Sequence, residues 1–146
     1  QPFFAMRGPK STGRDLFSLS WLDTELKAHG RWVAADVQAT LCALTAETVV
    51  QALVAAFEGQ TPPQHLWLCG GGARNLHLRS LLTKACARHG WHVQVEATDA
   101  LGWPAQWIEA AAFAWLAQRC WLGLAGNVPA VTGAKGPRVL GAIYPA

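Results

Sequence analysis

Charge is scarce in this 146-residue chain: only 14% of residues are Asp, Glu, Lys or Arg, and 12 basic against 9 acidic residues leave a net charge of +3. The basic residues are scattered rather than clustered, so the balance calls for neither a nucleic acid nor an acidic membrane. Long uncharged apolar runs are also lacking. Ala110 to Ala117, bracketed by Glu109 and Gln118, falls far short of the roughly 20 residues that a membrane-spanning helix needs, and a soluble protein is expected. Cysteine is limited to Cys42, Cys69, Cys86 and Cys120, without the paired spacing of a zinc site or the density of a disulfide scaffold, which fits a reducing cytoplasm. The N-terminus lacks the basic, apolar and small-residue regions of a secretory signal and opens on Gln1 rather than methionine, so a piece of a longer protein is expected.

What the chain does have is apolar residues, 51% of the total, enough for a core and too many for intrinsic disorder. Residues 1–14, with Pro2, Gly8, Pro9 and Gly13, read as loop. A short helix is expected from Trp21 to His29, stopped by Gly30. A longer one opens near Asp36 as N-cap, with Val37, Leu41, Leu44, Thr48, Ala52 and Ala56 on one stripe. Pro62 and Pro63 break the chain before His65-Leu66-Trp67-Leu68-Cys69, a buried strand entering a glycine turn. Asn75 caps a helix that Gly90 ends, and Trp91 to Glu96 is a second strand. Pro104 starts a helix to about Leu122 that is apolar on nearly every face and is therefore expected to be buried, with Trp107, Trp115 and Trp121 in the core. A short strand at Val139 to Ile143 is expected in the glycine-rich tail.

Helices alternating with two strands predict a parallel pair with a helical crossover, hence an α/β layer structure. Two parallel strands are too few for a sheet covered on both faces, so the missing strands are expected upstream or on another chain.

Cys69-Gly70-Gly71-Gly72-Ala73-Arg74-Asn75 lies between a strand end and a helix start, where glycines admit a ligand and free N–H groups favour anions. It fails the dinucleotide pattern because Asn75 stands where a third glycine or alanine belongs, and both a phosphate site and a plain tight turn remain open. Gly8-Pro9-Lys10-Ser11-Thr12-Gly13-Arg14-Asp15 fails as a phosphate loop, since Pro9 separates the glycine from Lys10; it is either a solvated loop or one presenting Lys10, Ser11, Thr12 or Arg14 to a ligand. Glu109 is the lone acid of the last long helix, readable as a first-turn acid facing water or as a group in a cleft. Of the eight tryptophans, only Trp32 and Trp103, beside loops, are candidates for ligand stacking. His89 and His92 lack further ligands for a metal.

Six ordered blocks then carry a resemblance: Pro9-Lys10-Ser11-Thr12-Gly13-Arg14-Asp15-Leu16-Phe17, Ala35-Asp36-Val37-Gln38-Ala39-Thr40-Leu41, the Cys69–Asn75 block, Thr98-Asp99-Ala100-Leu101-Gly102, Trp107-Ile108-Glu109-Ala110, and Asn127-Val128-Pro129-Ala130-Val131-Thr132-Gly133-Ala134. With the closing Val139 to Pro145, they resemble the C-terminal part of the anhydro-N-acetylmuramic acid kinases across the whole chain. That family is similar to the sugar kinase, Hsp70 and actin group, so the resemblance implies a ribonuclease-H-like lobe, incomplete here. Residues 1–18 would be an entry loop and 19–146 the C-terminal part of the second kinase lobe.

The resemblance further implies a bacterial cytoplasmic enzyme of peptidoglycan recycling. With ATP and Mg²⁺ it opens the 1,6-anhydro ring of anhydro-N-acetylmuramic acid and phosphorylates O6, giving N-acetylmuramic acid 6-phosphate. Gly70, Gly71, Gly72 and Asn75 would form the adenosine-side turn, and Glu109 would orient the sugar or the attacking water. Lys10, Ser11, Thr12, Arg14 and Asp99 would take cleft or lobe-packing roles. The partners implied are the N-terminal part of the same enzyme and a second copy in a homodimer. The phosphate-binding loop and the aspartate expected as general base belong upstream of position 1, so this chain alone is expected to be inactive. The rival readings are a related kinase with another substrate and a non-catalytic nucleotide-binding or interaction module.

Overall fold

The computed structural model describes residues 2–144, which divide into two compact units, one of residues 33–110 and one of residues 2–32 with 111–144. Gln1 and Pro145, on which two of the expectations above fall, lie outside the described residues.

Four helices and the sheet matter most: α2 (Leu19–Lys27) follows a one-turn helix α1 (Pro2–Ala5), and α3 covers Ala34–Ala56. β1 (His65–Leu68), α4 (Leu76–Arg88) and β2 (Gln94–Ala97) form the crossover unit, then α5 (Ile108–Trp121) and a one-turn α6 (Pro129–Thr132) close the chain. β1 and β2 pair in parallel, with His65 opposite Gln94 and Leu68 opposite Ala97. The expected α/β layering and the parallel pairing are both present, and no third strand joins them among the described residues.

The core of the 33–110 unit lies between α3, α4 and the sheet. Ala46 and Val50 of α3 meet Leu82, Ala85 and Cys86 of α4 and Val93 and Val95 beside and on β2, with Val54, Leu66, Leu68, Leu78, Leu81 and Trp91 around them. Burial of a Val or Leu side chain contributes roughly 1.5–3 kcal/mol. Arg88 of α4 also pairs with Glu47 of α3 across the outer edge of this packing. The α3 stripe differs from the expected one: Ala46 and Val50 turn inward and Ala52 and Ala56 are exposed. With alanine on most faces of α3, periodicity alone does not select a side; the position of α4 does.

Helix ends show the same division between local and tertiary control. Asn75 caps α4, its side-chain oxygen accepting from the Leu78 N–H at 3.0 Å, as expected. α3 instead starts after Val33, which has no side-chain cap, and Asp36 sits in the first turn, where the helix dipole favours an acid. α3 adds to what the uncharged runs indicate: its 23 residues contain an 18-residue window of mean hydropathy 1.6, long and apolar enough by length and composition to cross a membrane, a test that the core helix of a soluble protein also passes. Asp36 and Glu47 interrupt it, which is why a search for uncharged stretches passes over it.

In the other unit, Ser18 caps α2 by accepting from the Trp21 N–H at 3.2 Å. Phe3, Phe4, Phe17 and Trp21 pack ring on ring, and the segment expected to read as loop holds one short helical turn, Pro2–Ala5, with no longer element among residues 6–14. The tail strand expected at Val139 to Ile143 does not form. The tail is held by isolated bonds: the Gly126 N–H donates to the Arg138 carbonyl at 2.9 Å, and Asn127 Oδ1 accepts from the Arg138 N–H at 2.6 Å. Leu116 lies 3.0 Å from where a Cβ on Gly126 would stand, a close approach that requires glycine.

α5 begins at Ile108, four residues after Pro104, and contrary to expectation no residue of it is buried. Trp107 is 69% exposed, Phe113 65%, Trp115 50% and Trp121 75%. The exposed aromatics within α5 are spread around it, since Phe113 and Trp115, two positions apart, point to different sides of the helix.

Candidate functional site

The glycine turn sits at the carboxyl ends of both parallel strands, where ligands of open α/β sheets bind. β1 ends at Leu68, Cys69 is exposed, and Gly70 adopts φ 71°, ψ −168°, a conformation that is essentially restricted to glycine. A 3₁₀ turn over Gly71–Arg74 follows, closed by bonds from the Ala73 N–H to the Gly70 carbonyl and from the Asn75 N–H to the Gly72 carbonyl. Asn75 then starts α4. The amides of Gly71 and Gly72 have no acceptor among the described residues, and a Cβ on Gly71 would meet nothing within 4 Å. An anion therefore has both donors and access here, which is what a nucleotide phosphate requires.

The second strand delivers its own turn to the same end. A 3₁₀ turn over Thr98–Leu101 closes with the Gly102 N–H on the Asp99 carbonyl, and Gly102 takes the left-handed φ of 78°. Asp99 Oδ2 accepts from the Ala105 N–H at 3.2 Å, and the Ala105 carbonyl accepts from the Gly70 N–H at 2.7 Å. Ala105 is only 5% exposed. Asp99 and the glycine turn, distant in sequence, are thus brought together through the N–H and the carbonyl of one buried residue. The Thr98 hydroxyl oxygen is buried beside them without a partner among the described residues.

Next to Asn75, an open cavity of about 530 Å³ runs between the first half of α3 and the start of α4, lined by Gln38, Ala39, Cys42, Thr45, Asn75 and His77 among others. Composition gave no signal for this cavity; the Ala35–Leu41 block and Asn75 come together only through the α3–α4 packing.

Glu109 is the second residue of α5 and exposed. Among the described residues its carboxylate has no ion pair. It belongs to the same unit as the glycine turn and Asp99. Lys10, Ser11, Thr12 and Arg14 belong to the other unit. There the Lys10 ammonium donates to the Phe3 and Met6 carbonyls, both at 3.2 Å, and lies 4.8 Å over the Phe3 ring, while Ser11, Thr12 and Arg14 are exposed. Of the two tryptophans beside loops, Trp32 donates its ring N–H to the Leu26 carbonyl at 2.8 Å and Trp103 is 57% exposed.

A metal finds less support than a phosphate. Among the described residues no three His, Cys, Asp or Glu side chains gather as a ligand set. The four cysteines are free thiols, and burial pushes the Cys86 thiol up from its ordinary range.

Comparison with known proteins places this geometry in context. The sequence model of the anhydro-N-acetylmuramic acid kinases matches residues 1–146. Proteins of that name from Bordetella petrii and Paraburkholderia xenovorans are 51% and 50% identical to the chain, over 100% and 99% of it. The one from Pseudomonas fluorescens is 48% identical over 99%. The chain spans 37% of the Bordetella protein and 38% of each of the other two.

Proposed function

This chain belongs to the anhydro-N-acetylmuramic acid kinase family, and from that premise we propose that it is the C-terminal part of an ATP-dependent kinase acting on anhydro-N-acetylmuramic acid. The complete enzyme opens the 1,6-anhydro ring with water and phosphorylates O6, yielding N-acetylmuramic acid 6-phosphate for peptidoglycan recycling in the cytoplasm. The lobe has the ribonuclease-H-like fold of the sugar kinase and actin group, and the complete enzyme is a homodimer. The observation that carries the reading is the glycine turn at the carboxyl end of β1, with the Gly71 and Gly72 amides unpaired among the described residues, inside a chain matched by the family from end to end.

In this reading Gly70, Gly71, Gly72 and Asn75 hold the adenosine side of ATP. ATP supplies the transferable phosphoryl group, and Mg²⁺ accompanies its phosphates with ligands from outside this chain. Glu109 orients the sugar or the attacking water. Lys10, Ser11, Thr12 and Arg14 line the cleft or pack the lobes. The general base and the main phosphate loop belong to the rest of the enzyme, so these 146 residues do not turn over alone. The chain's span of 37–38% of the length of its relatives supports this.

The test is a ³¹P assay for a sugar 6-phosphate from ATP, Mg²⁺ and anhydro-N-acetylmuramic acid, run on the complete protein and on the 146-residue chain. Product from the complete protein alone is expected. No product from either would remove the kinase reading, and product from the short chain would overturn the placement of the base.

A further inference from the structure

We propose that Asp99 is a positioning residue for the glycine turn, acting through the backbone of Ala105 rather than on the ligand. This rests on the reading of that turn as the nucleotide site. Three observations meet. The Gly70 N–H is held by the Ala105 carbonyl at 2.7 Å, so the turn does not close on itself at this point; it is anchored to the loop that follows β2. The Ala105 N–H, in the preceding peptide group, is held by Asp99 Oδ2 at 3.2 Å. Ala105 is buried and Gly70 half-buried, whereas Asp99 is exposed and its bond to the Ala105 N–H is partly buried.

The consequence is directional. Gly70 takes a conformation whose energy is high for every residue except glycine and not especially low for glycine, so an outside anchor decides whether the turn keeps it. Gly70 in turn sets the direction of the next two amides, Gly71 and Gly72, which are unpaired among the described residues and available to a phosphate. The Asp99 carboxylate oxygen holds the Pro104–Ala105 peptide, and the carbonyl that anchors Gly70 belongs to the next peptide, so the orientation passes through the φ and ψ of the single buried residue Ala105. Asp99 is itself locked by the 3₁₀ turn that closes from the Gly102 N–H onto its carbonyl. Loss of the Asp99 side chain therefore loosens the nucleotide turn while leaving the α3–α4 core untouched, since no core residue contacts it through this route.

The experiment is a comparison of Asp99→Ala and Asp99→Asn in the complete enzyme. Equilibrium affinity for a non-hydrolysable ATP analogue and separate KM and kcat values for ATP and sugar would be measured. Asp99→Ala should weaken nucleotide binding and raise the KM for ATP about tenfold, with kcat and the KM for sugar close to wild type. Asp99→Asn keeps an acceptor oxygen and should recover most of the loss. If Asp99→Ala does not accumulate folded, Asp99→Ser serves: its shorter side chain falls short of a bond already 3.2 Å long. Wild-type affinity in the Ala or Ser variant would overturn the positioning role and leave the nucleotide site standing. Equal losses in the Asn and Ala variants, or parallel losses in both substrates and in kcat, would overturn it in favour of a direct or a merely structural role. A wild-type enzyme that binds no nucleotide would remove the site itself and this inference with it.

Discussion

The Gly70 N–H donates to the Ala105 carbonyl at 2.7 Å, tying the turn after β1 to the loop after β2 across 35 positions of sequence. That bond explains why a parallel pair of only four residues each ends in an ordered site rather than two independent loops. It also separates the glycines by role.

Gly70→Ala should destabilise the chain by about 1–3 kcal/mol, because alanine is strained at φ 71°, ψ −168°. Gly71→Ala meets open space and has no positive φ, so its stability should stay within about 0.5 kcal/mol of wild type. Urea denaturation of both variants in the complete enzyme tests the contrast; equal effects would show that the turn is not under this constraint.

Asn75→Ala removes the cap on Leu78 and should cost about 1 kcal/mol, while Asn75→Asp retains it. The same denaturation measurement decides, and unchanged stability in the Ala variant would mean that α4 does not depend on its cap.

Glu109→Ala in the complete protein should cut turnover while nucleotide affinity remains near wild type. Its exposed place at the start of α5, without an ion pair among the described residues, predicts little loss of fold. Single-turnover kinetics beside a binding titration separates the two, and full activity in the variant would take Glu109 out of the mechanism.

Thiol labelling should distinguish the two central cysteines. Burial raises the Cys86 pKa, which leaves less thiolate at any given pH, and its side chain is only 1% exposed, whereas Cys69 is exposed. Iodoacetamide in native buffer should modify Cys69 and spare Cys86 until denaturant is added. Peptide mass mapping reads the result; prompt modification of Cys86 would place it outside the core described.

Most of the central unit could be read from sequence because its signals are local. Asn75 announces a cap, the glycines announce a turn after an apolar run, and Gly90 announces a stop, each by its own backbone preferences. The parallel pairing followed from element order alone. The inward face of α3 could not be read in this way, since alanine and threonine lie all round it and only contact with α4 selects Ala46 and Val50. Nor could the tail, where a β-like composition at Val139 to Ile143 found no strand to pair with among the described residues.

The candidate site divides along the same line. Residue types and local context picked out the turn of Gly70, Gly71 and Gly72, with Asn75 and Glu109, and the resemblance carried by the blocks around them added Asp99. Ala105 gave no signal, because its contribution is a backbone N–H and carbonyl that every residue except proline possesses in full. The sequence by itself determined which backbone conformations were available at the turns and caps, since those depend on single residues. Only the tertiary structure decided that Asp99 reaches Gly70 through Ala105, because hydrogen bonds between distant peptides exist only after the strands have paired and brought their ends together.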